Sequence, residues 1–82
     1  MINNGENDMK NKFNQIDKVY NYLADNNRGA GVTASRIAKF THVPRANVIA
    51  RIADLRNIEG VKIFSNPRTV NGKRKIYYRM AG

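Results

Sequence analysis

Two residues near the C-terminus, Asn71 and Gly72, constrain the fold of this chain more than any others. They lie between two segments in which β-type alternation is evident, residues 61–66 and residues 75–80. Both residues tolerate the positive φ that a two-residue type I′ turn requires, and Asn-Gly between such segments is the strongest short-range hairpin signal. The sequence therefore predicts an antiparallel β-hairpin in which Val70 pairs with Lys73.

The same turn predicts the register of the hairpin, with Ile63 opposite Met80 and Ser65 opposite Tyr78. Because Pro67 has no N–H to donate, we expect the strands to fray above Asn66 and residues 67–73 to project as a mobile, basic tip. The predicted core face holds Ile63, Ile76, Tyr78 and Met80, and the predicted opposite face holds Lys62, Phe64, Arg68, Lys75, Tyr77 and Arg79.

The part of the chain before the hairpin is predicted to contain a polar tail and three helices. Residues 1–11 are too polar to bury much surface, so we expect a disordered polar tail there and a folded domain over residues 12–82. A first helix of about four turns follows, and residues 25–31 end it. Its predicted apolar stripe comprises Phe13, Ile16, Val19, Tyr20 and Leu23.

Two further helices precede the hairpin. Thr33 is a good N-cap for a short second helix over residues 34–40, in which Ile37 and Ala38 are expected to be buried and Phe40 is a further candidate. Residues 41–43 form a tight connection, and Pro44 suits the first turn of a third helix that runs to about Asn57. This third helix is expected to bury Val48, Ile52 and Leu55.

Charge is distributed unevenly along the chain, whose net charge is +9. Up to Gly60 there are nine basic and six acidic residues, a net +3, whereas the remaining residues contain six basic residues and no acid, a net +6. A clustered excess of this kind attracts a polyanion. A charged strand edge that discourages aggregation is the alternative interpretation of the same residues.

Composition excludes several classes of protein. There is no Cys, which excludes disulfides and thiol chemistry and fits a reducing cytoplasm. No apolar run approaches the ~20 residues of a membrane-spanning helix, and the N-terminus lacks the apolar stretch of a secretory signal, so we expect a cytoplasmic protein without membrane contact. The chain has twelve Asn residues, whose codons are AT-rich, and this indicates a phage or a low-GC bacterium as its source.

Two segments carry a family resemblance. They read VTASRIAKF over residues 32–40 and VPRANVIARIADLR over residues 43–56. With the hairpin that follows, this pattern resembles the winged helix-turn-helix superfamily of DNA-binding domains. The sequence departs from it at Phe40-Thr41-His42, where a small residue or Gly is frequent, and in a wing that is longer than average. The resemblance implies an α+β fold with three helices and a C-terminal two-stranded wing, and it implies a small transcriptional regulator or accessory factor that binds double-stranded DNA.

The third helix has the length to enter the major groove of DNA, where side chains near its N-terminus reach base edges. Asn47 can bridge an adenine, and Arg45 and Arg51 can fork onto guanine or a phosphate. Ala46 and Ala50 leave room for close approach, whereas Ile49 is an apolar residue beside this predicted reading face. A solvated polar helix face is the alternative interpretation.

Phosphate contacts are predicted from two other parts of the chain. The second helix contributes Arg36 and Lys39. The predicted wing has a basic tip, and such tips lie along phosphates or enter a minor groove. The predicted wing contacts are Arg68, Lys73, Arg74 and Lys75.

We expect a monomer or a weak homodimer, with a component of the transcription machinery as a further partner.

Other functions have less support. The single His42 and the scattered acids offer no acid–base pair or metal site, so we expect neither an enzyme nor a bound metal or cofactor. A protein-docking module is the main alternative, with the first helix or Phe64, Tyr77 and Ile49 forming an apolar contact. RNA binding is the next, because Phe64 and Tyr77 lie between basic residues and can stack on unpaired bases.

Overall fold

The computed structural model describes the backbone of residues 4–81 and the side chains of residues 12–81. In this part of the chain the elements are α1 (Asn4–Asp25), β1 (Val32–Thr33), α2 (Ala34–Thr41), α3 (Arg45–Asn57), β2 (Ile63–Val70) and β3 (Lys73–Met80). Three helices followed by an antiparallel hairpin confirm the predicted α+β fold, and the topology is winged-helix-like. None of the helices in the described part of the chain is long and apolar enough to cross a membrane.

Helix α1 contributes a narrower apolar stripe than the sequence predicts. Ile16, Val19 and Leu23 are buried, but Phe13 and Tyr20 are 55% and 39% exposed. Successive residues of a helix are 100° apart, which places Phe13 and Tyr20 beside the buried stripe, so they border the core without entering it. The helix begins at Asn4, inside the segment predicted as a tail. Residues 1–3 lie outside the described part, and the domain boundary at residue 12 stays a prediction.

Local hydrogen bonds cap both ends of α2. At its start Thr33 caps the helix as predicted, with its Oγ1 accepting a hydrogen bond from the Arg36 N–H at 3.2 Å. In the turn to α3, Thr41 donates from Oγ1 to the Ile37 carbonyl at 2.6 Å and accepts from the Val43 N–H, and His42 takes the left-handed conformation at φ 60°. His42 therefore does what Gly often does at the end of a helix, and the departure from the family pattern leaves the turn intact.

Helix α3 has the end and the buried face that the sequence predicts, but Pro44 is its N-cap and not a residue of its first turn. It spans Arg45–Asn57, directly after Pro44, and buries Val48, Ile52 and Leu55. After it, the Val61 N–H donates to the Leu55 carbonyl at 2.9 Å and directs the chain into β2. The inner side of α3 is thereby fixed against the core, which leaves its other sides to face α1, the hairpin and solvent.

The hairpin has the predicted register, with Val70 opposite Lys73, Ser65 opposite Tyr78 and Ile63 opposite Met80. Asn71 and Gly72 have φ of 53° and 77°, as a type I′ turn requires. The expectation of frayed strands is wrong, because both strands run without interruption to the turn.

The place of Pro67 in the hydrogen-bond ladder explains how the hairpin accommodates a residue without an N–H. In a two-residue hairpin, hydrogen-bonded and non-hydrogen-bonded pairs alternate outward from the turn. Counted from Val70, Pro67 falls at a non-hydrogen-bonded position opposite Ile76, and β2 is an edge strand. The proline nitrogen therefore points away from β3, and no bond of the ladder is lost.

A short strand that the sequence does not predict completes the sheet. In β1, Val32 pairs with Tyr78 and Thr33 with Tyr77, giving the strand order β1-β3-β2. Gly31, just before β1, has φ 96°, and a Cβ atom there would overlap the carbonyl of Tyr78. This close approach requires a glycine.

The core lies between the three helices and the base of the hairpin. Ile63 is buried, and Tyr78 and Met80 pack against the core, as predicted. Ile76 is on the same face of the hairpin but is 43% exposed, because the strands extend beyond the helices. Phe40 is 57% exposed and Ala38 is half-buried, so α2 contributes chiefly Ala34, Ile37 and Thr41 to the interior.

Candidate nucleic-acid interface

Away from the core, helix α3 faces α1 on one side, the hairpin on another and solvent between them. The small residues Ala46, Ala50 and Ala53 lie opposite the buried residues of the helix. Arg45 and Ala46 are exposed, as the sequence predicts, whereas Asn47, Ala50 and Arg51 are half-buried. Asn47 and Arg51 are half-buried because they lie on the side of the helix that faces α1.

A polar network joins that side of α3 to α1. Gln15 accepts two hydrogen bonds at Oε1, one from Asn47 Nδ2 at 3.3 Å and one from Arg51 Nη1 at 3.2 Å. Arg51 also donates from Nε to Asp54 Oδ2 at 2.8 Å, and Lys12 lies 3.8 Å from the same oxygen. The Arg51 and Asp54 side chains are only 17% and 19% exposed. The structure therefore holds Asn47 and Arg51, two of the three predicted base-reading side chains, in a fixed arrangement.

A groove of about 250 Å³ separates the opposite side of α3 from the hairpin. Arg45 and Ile49 border it from α3, and Arg74 and Ile76 border it from β3. Ile49 and Ile76 are 42% and 43% exposed, so the lining of the groove includes an apolar strip, formed by these two residues, as well as two arginines. The first residues of α2 close one end of the groove, and its remaining lining residues are Thr33, Ala34, Ser35, Lys75 and Tyr78.

The predicted wing cations lie at the end of the hairpin that extends beyond the helices, and all of them are exposed. Arg68 is opposite Lys75, and Lys73 is on the same face, two residues along β3. Arg74 points to the other face, that of the groove. Among residues 12–81, none of these four cations forms an ion pair or a side-chain hydrogen bond. Their charges are therefore available to an anion from outside.

The α2 cations predicted to meet phosphates lie elsewhere. Arg36 and Lys39 are placed over the ring of Phe40, at 5.9 Å and 5.7 Å from its centroid. Arg36 also donates from Nε to the hydroxyl of Tyr22 on α1 at 3.2 Å. The groove is bordered by residues 33–35 of this region, and neither Arg36 nor Lys39 lines it.

Two further arginines hold the hairpin in place. Arg56 at the end of α3 donates from Nη2 to the Ile63 carbonyl and to Ser65 Oγ, each at 2.6 Å. Arg79 donates from Nε to Asn27 Oδ1 at 3.2 Å and from Nη1 to the Gly29 carbonyl at 3.3 Å. These bonds fix the base of the hairpin relative to α3 and to the loop after α1.

Sequence reasoning missed Gln15 and Asp54 as partners of the predicted reading residues. It also left several roles open for Ile49, which lines the groove together with Ile76. The Arg51 and Asp54 spacing, three residues apart in a helix, is the one signal that points to an ion pair. Nothing in the sequence indicates that Gln15 approaches α3, because that contact depends on how two helices pack.

The described residues contain no group of three or more His, Cys, Asp or Glu side chains that could hold a metal ion. No protein-family model matches this chain, and no curated protein or solved structure is significantly similar to it. The function must therefore be argued from the surface itself.

Proposed function

We propose that the protein binds double-stranded DNA, with α3 in the major groove and the hairpin on phosphates or in a minor groove. The observation that carries this proposal is the shared groove, in which Arg45 of α3 faces the same space as Arg74 of the hairpin. Cations from two separate elements thereby border one surface, and clustered cations of this kind attract a duplex backbone.

Dimensions support this arrangement. A helix of 13 residues such as α3 is about 20 Å long. With side chains it is about 10–12 Å wide, which fits the major groove of B-DNA. The small outer residues Ala46, Ala50 and Ala53 let the backbone approach the bases, and the apolar strip of Ile49 and Ile76 suits a thymine methyl group or deoxyribose.

Charge supports the role of the hairpin. No acid follows Glu59 in the sequence, so Arg68, Lys73, Arg74 and Lys75 are not neutralised from within the hairpin. Exposed cations on both faces of a projecting hairpin can reach phosphates across a groove. We therefore assign these residues to the sequence-independent part of binding, and Asn47 and Arg51 to base reading, in which Gln15 orients their remaining N–H donors.

We further propose a small transcriptional regulator or accessory DNA-binding factor in the cytoplasm of a bacterium or a phage-infected cell. In this role the protein binds DNA without catalysing a reaction on it, and it acts as a monomer or a weak homodimer. The protein partner within the transcription machinery stays a prediction.

Selection of duplexes from a random pool, carried out at two salt concentrations, tests the proposal. Enrichment of a motif supports sequence-specific regulation, whereas salt-dependent retention without a motif supports an accessory or architectural role. Absence of retention at the lower salt concentration contradicts duplex binding. Competition by single strands that exceeds competition by duplex also contradicts it and supports RNA or single-strand binding.

A further inference from the structure

Phe40, near the C-terminus of α2, is a large apolar side chain with 57% of its surface exposed. Its ring is held in place nevertheless, because it stacks on the ring of Tyr22 with 5.8 Å between centroids and 10° between planes. Stacking of this kind is worth about 0.5–1.5 kcal/mol beyond the burial of area. The ring is therefore both ordered and open to solvent.

Two cations surround this ring. Arg36 and Lys39 lie over it at 5.9 Å and 5.7 Å, and the hydrogen bond from Arg36 Nε to the Tyr22 hydroxyl fixes the guanidinium. Among residues 12–81, no carboxylate lies within ion-pair distance of either cation. We call Tyr22, Arg36, Lys39 and Phe40 the α1–α2 patch.

We infer that the α1–α2 patch is a docking surface for an acidic protein segment that carries an apolar side chain. Asp or Glu side chains of the segment would pair with Arg36 and Lys39, and its apolar side chain would cover the exposed part of Phe40. Charge complementarity selects the acidic partner, since the patch has two cations without internal neutralisation around one apolar ring.

The geometry favours a peptide over a nucleic acid. Tyr22 stacks on the Phe40 ring, and Arg36 and Lys39 lie 5.9 Å and 5.7 Å from its centroid, so the ring area left for a nucleobase to stack on is reduced. An aliphatic side chain needs only the exposed part of the ring. This surface is separate from the groove between α3 and the hairpin, and the inference does not rest on duplex binding.

Selection from a displayed library of random linear peptides, with the full chain as bait, tests the inference. We expect enriched peptides in which Asp or Glu residues flank an apolar residue. One such peptide, synthesised with a fluorophore, should lose at least about tenfold in affinity with Phe40→Ser, and the same loss is expected with Lys39→Glu, a substitution of an exposed residue.

Matched variants on the hairpin serve as controls. Phe64 is 53% exposed, so Phe64→Ser removes a comparable apolar surface, and Lys73→Glu makes the same charge change as Lys39→Glu. Both should leave the affinity for the peptide within about twofold of the original value. Circular dichroism and thermal unfolding establish that each variant remains folded.

Three results would overturn the inference. The first is a selection that enriches no peptide or enriches peptides without acidic residues. The second is an enriched peptide whose affinity is unchanged by both Phe40→Ser and Lys39→Glu. The third is displacement of the peptide by single-stranded oligothymidylate but not by its abasic analogue, which would make the patch a base-stacking site.

Discussion

Arg51 of α3 donates a hydrogen bond from Nη1 to Oε1 of Gln15 on α1, across 3.2 Å. The same oxygen accepts from Asn47, so one residue of α1 engages two of the three side chains that the sequence assigns to base reading, the third being Arg45. Gln15 thereby sets the orientation in which the remaining N–H groups of Asn47 and Arg51 can meet a base edge. Sequence preference, if α3 reads bases, therefore depends on a residue outside the reading helix.

The first prediction concerns Gln15→Ala. This change removes the shared acceptor and lets Asn47 and Arg51 adopt other rotamers, so we expect the ratio of affinities for selected and random duplex to fall about threefold to tenfold. The slope of affinity against salt should not change, because no charge is altered. Asn14→Ala, at an exposed neighbouring position of α1, is the control and should leave the ratio unchanged.

The second prediction concerns Asp54→Asn. Asp54 pairs with Arg51 at 2.8 Å and lies 3.8 Å from Lys12, so its charge offsets cations beside the proposed interface. Its neutralisation should raise affinity for all duplexes and steepen the log–log salt slope by about one. Asp25→Asn makes the same charge change at an exposed site outside the network. If the two variants raise duplex affinity equally, the rise comes from the change in net charge and not from the release of Arg51.

The third prediction separates base reading from phosphate binding. Asn47→Ala should cost ~1–3 kcal/mol at one base position of the selected motif, if its contact with adenine is bidentate. Lys73→Ala should weaken binding to all sequences alike and reduce the salt slope by about one. Equal losses on selected and random duplex for Asn47→Ala would refute its reading role.

The fourth prediction concerns stability. Gly31→Ala places a Cβ atom against the Tyr78 carbonyl at a positive φ, so we expect it to lower the free energy of unfolding by about 2–4 kcal/mol. Gly29 also has a positive φ, of 54°, but open space around it, so Gly29→Ala should cost only about 1 kcal/mol. Urea denaturation measures both. Similar losses would show that the approach of β1 to β3 is not close.

Local signals account for the parts of the fold that the sequence predicts. Asn71-Gly72 dictates its own turn, and the register follows from it by pairing alone. The spacing of Val48, Ile52 and Leu55 likewise specifies which side of α3 is buried. These features need no knowledge of how the elements pack.

Tertiary packing accounts for the parts that the sequence does not predict. The exposure of Phe13 and Tyr20 depends on the angle at which α1 crosses α3, and strand β1 exists only because β3 offers it a partner. The direction of Asn47 and Arg51 is decided by Gln15, a residue more than thirty positions away in the sequence. A helical wheel shows only that both residues lie off the core, and it cannot distinguish solvent from a neighbouring helix.

The salt dependence of duplex binding tests the central claim most directly. If about four to six cations, among them Arg45, Arg68, Lys73, Arg74 and Lys75, contact phosphates, the log–log slope should be about −4 to −5. Affinity should then fall by about two to three decades between about 50 and 200 mM salt. No binding at the lower concentration, or an affinity that stays flat across this range, would contradict a duplex-binding role for α3 and the hairpin.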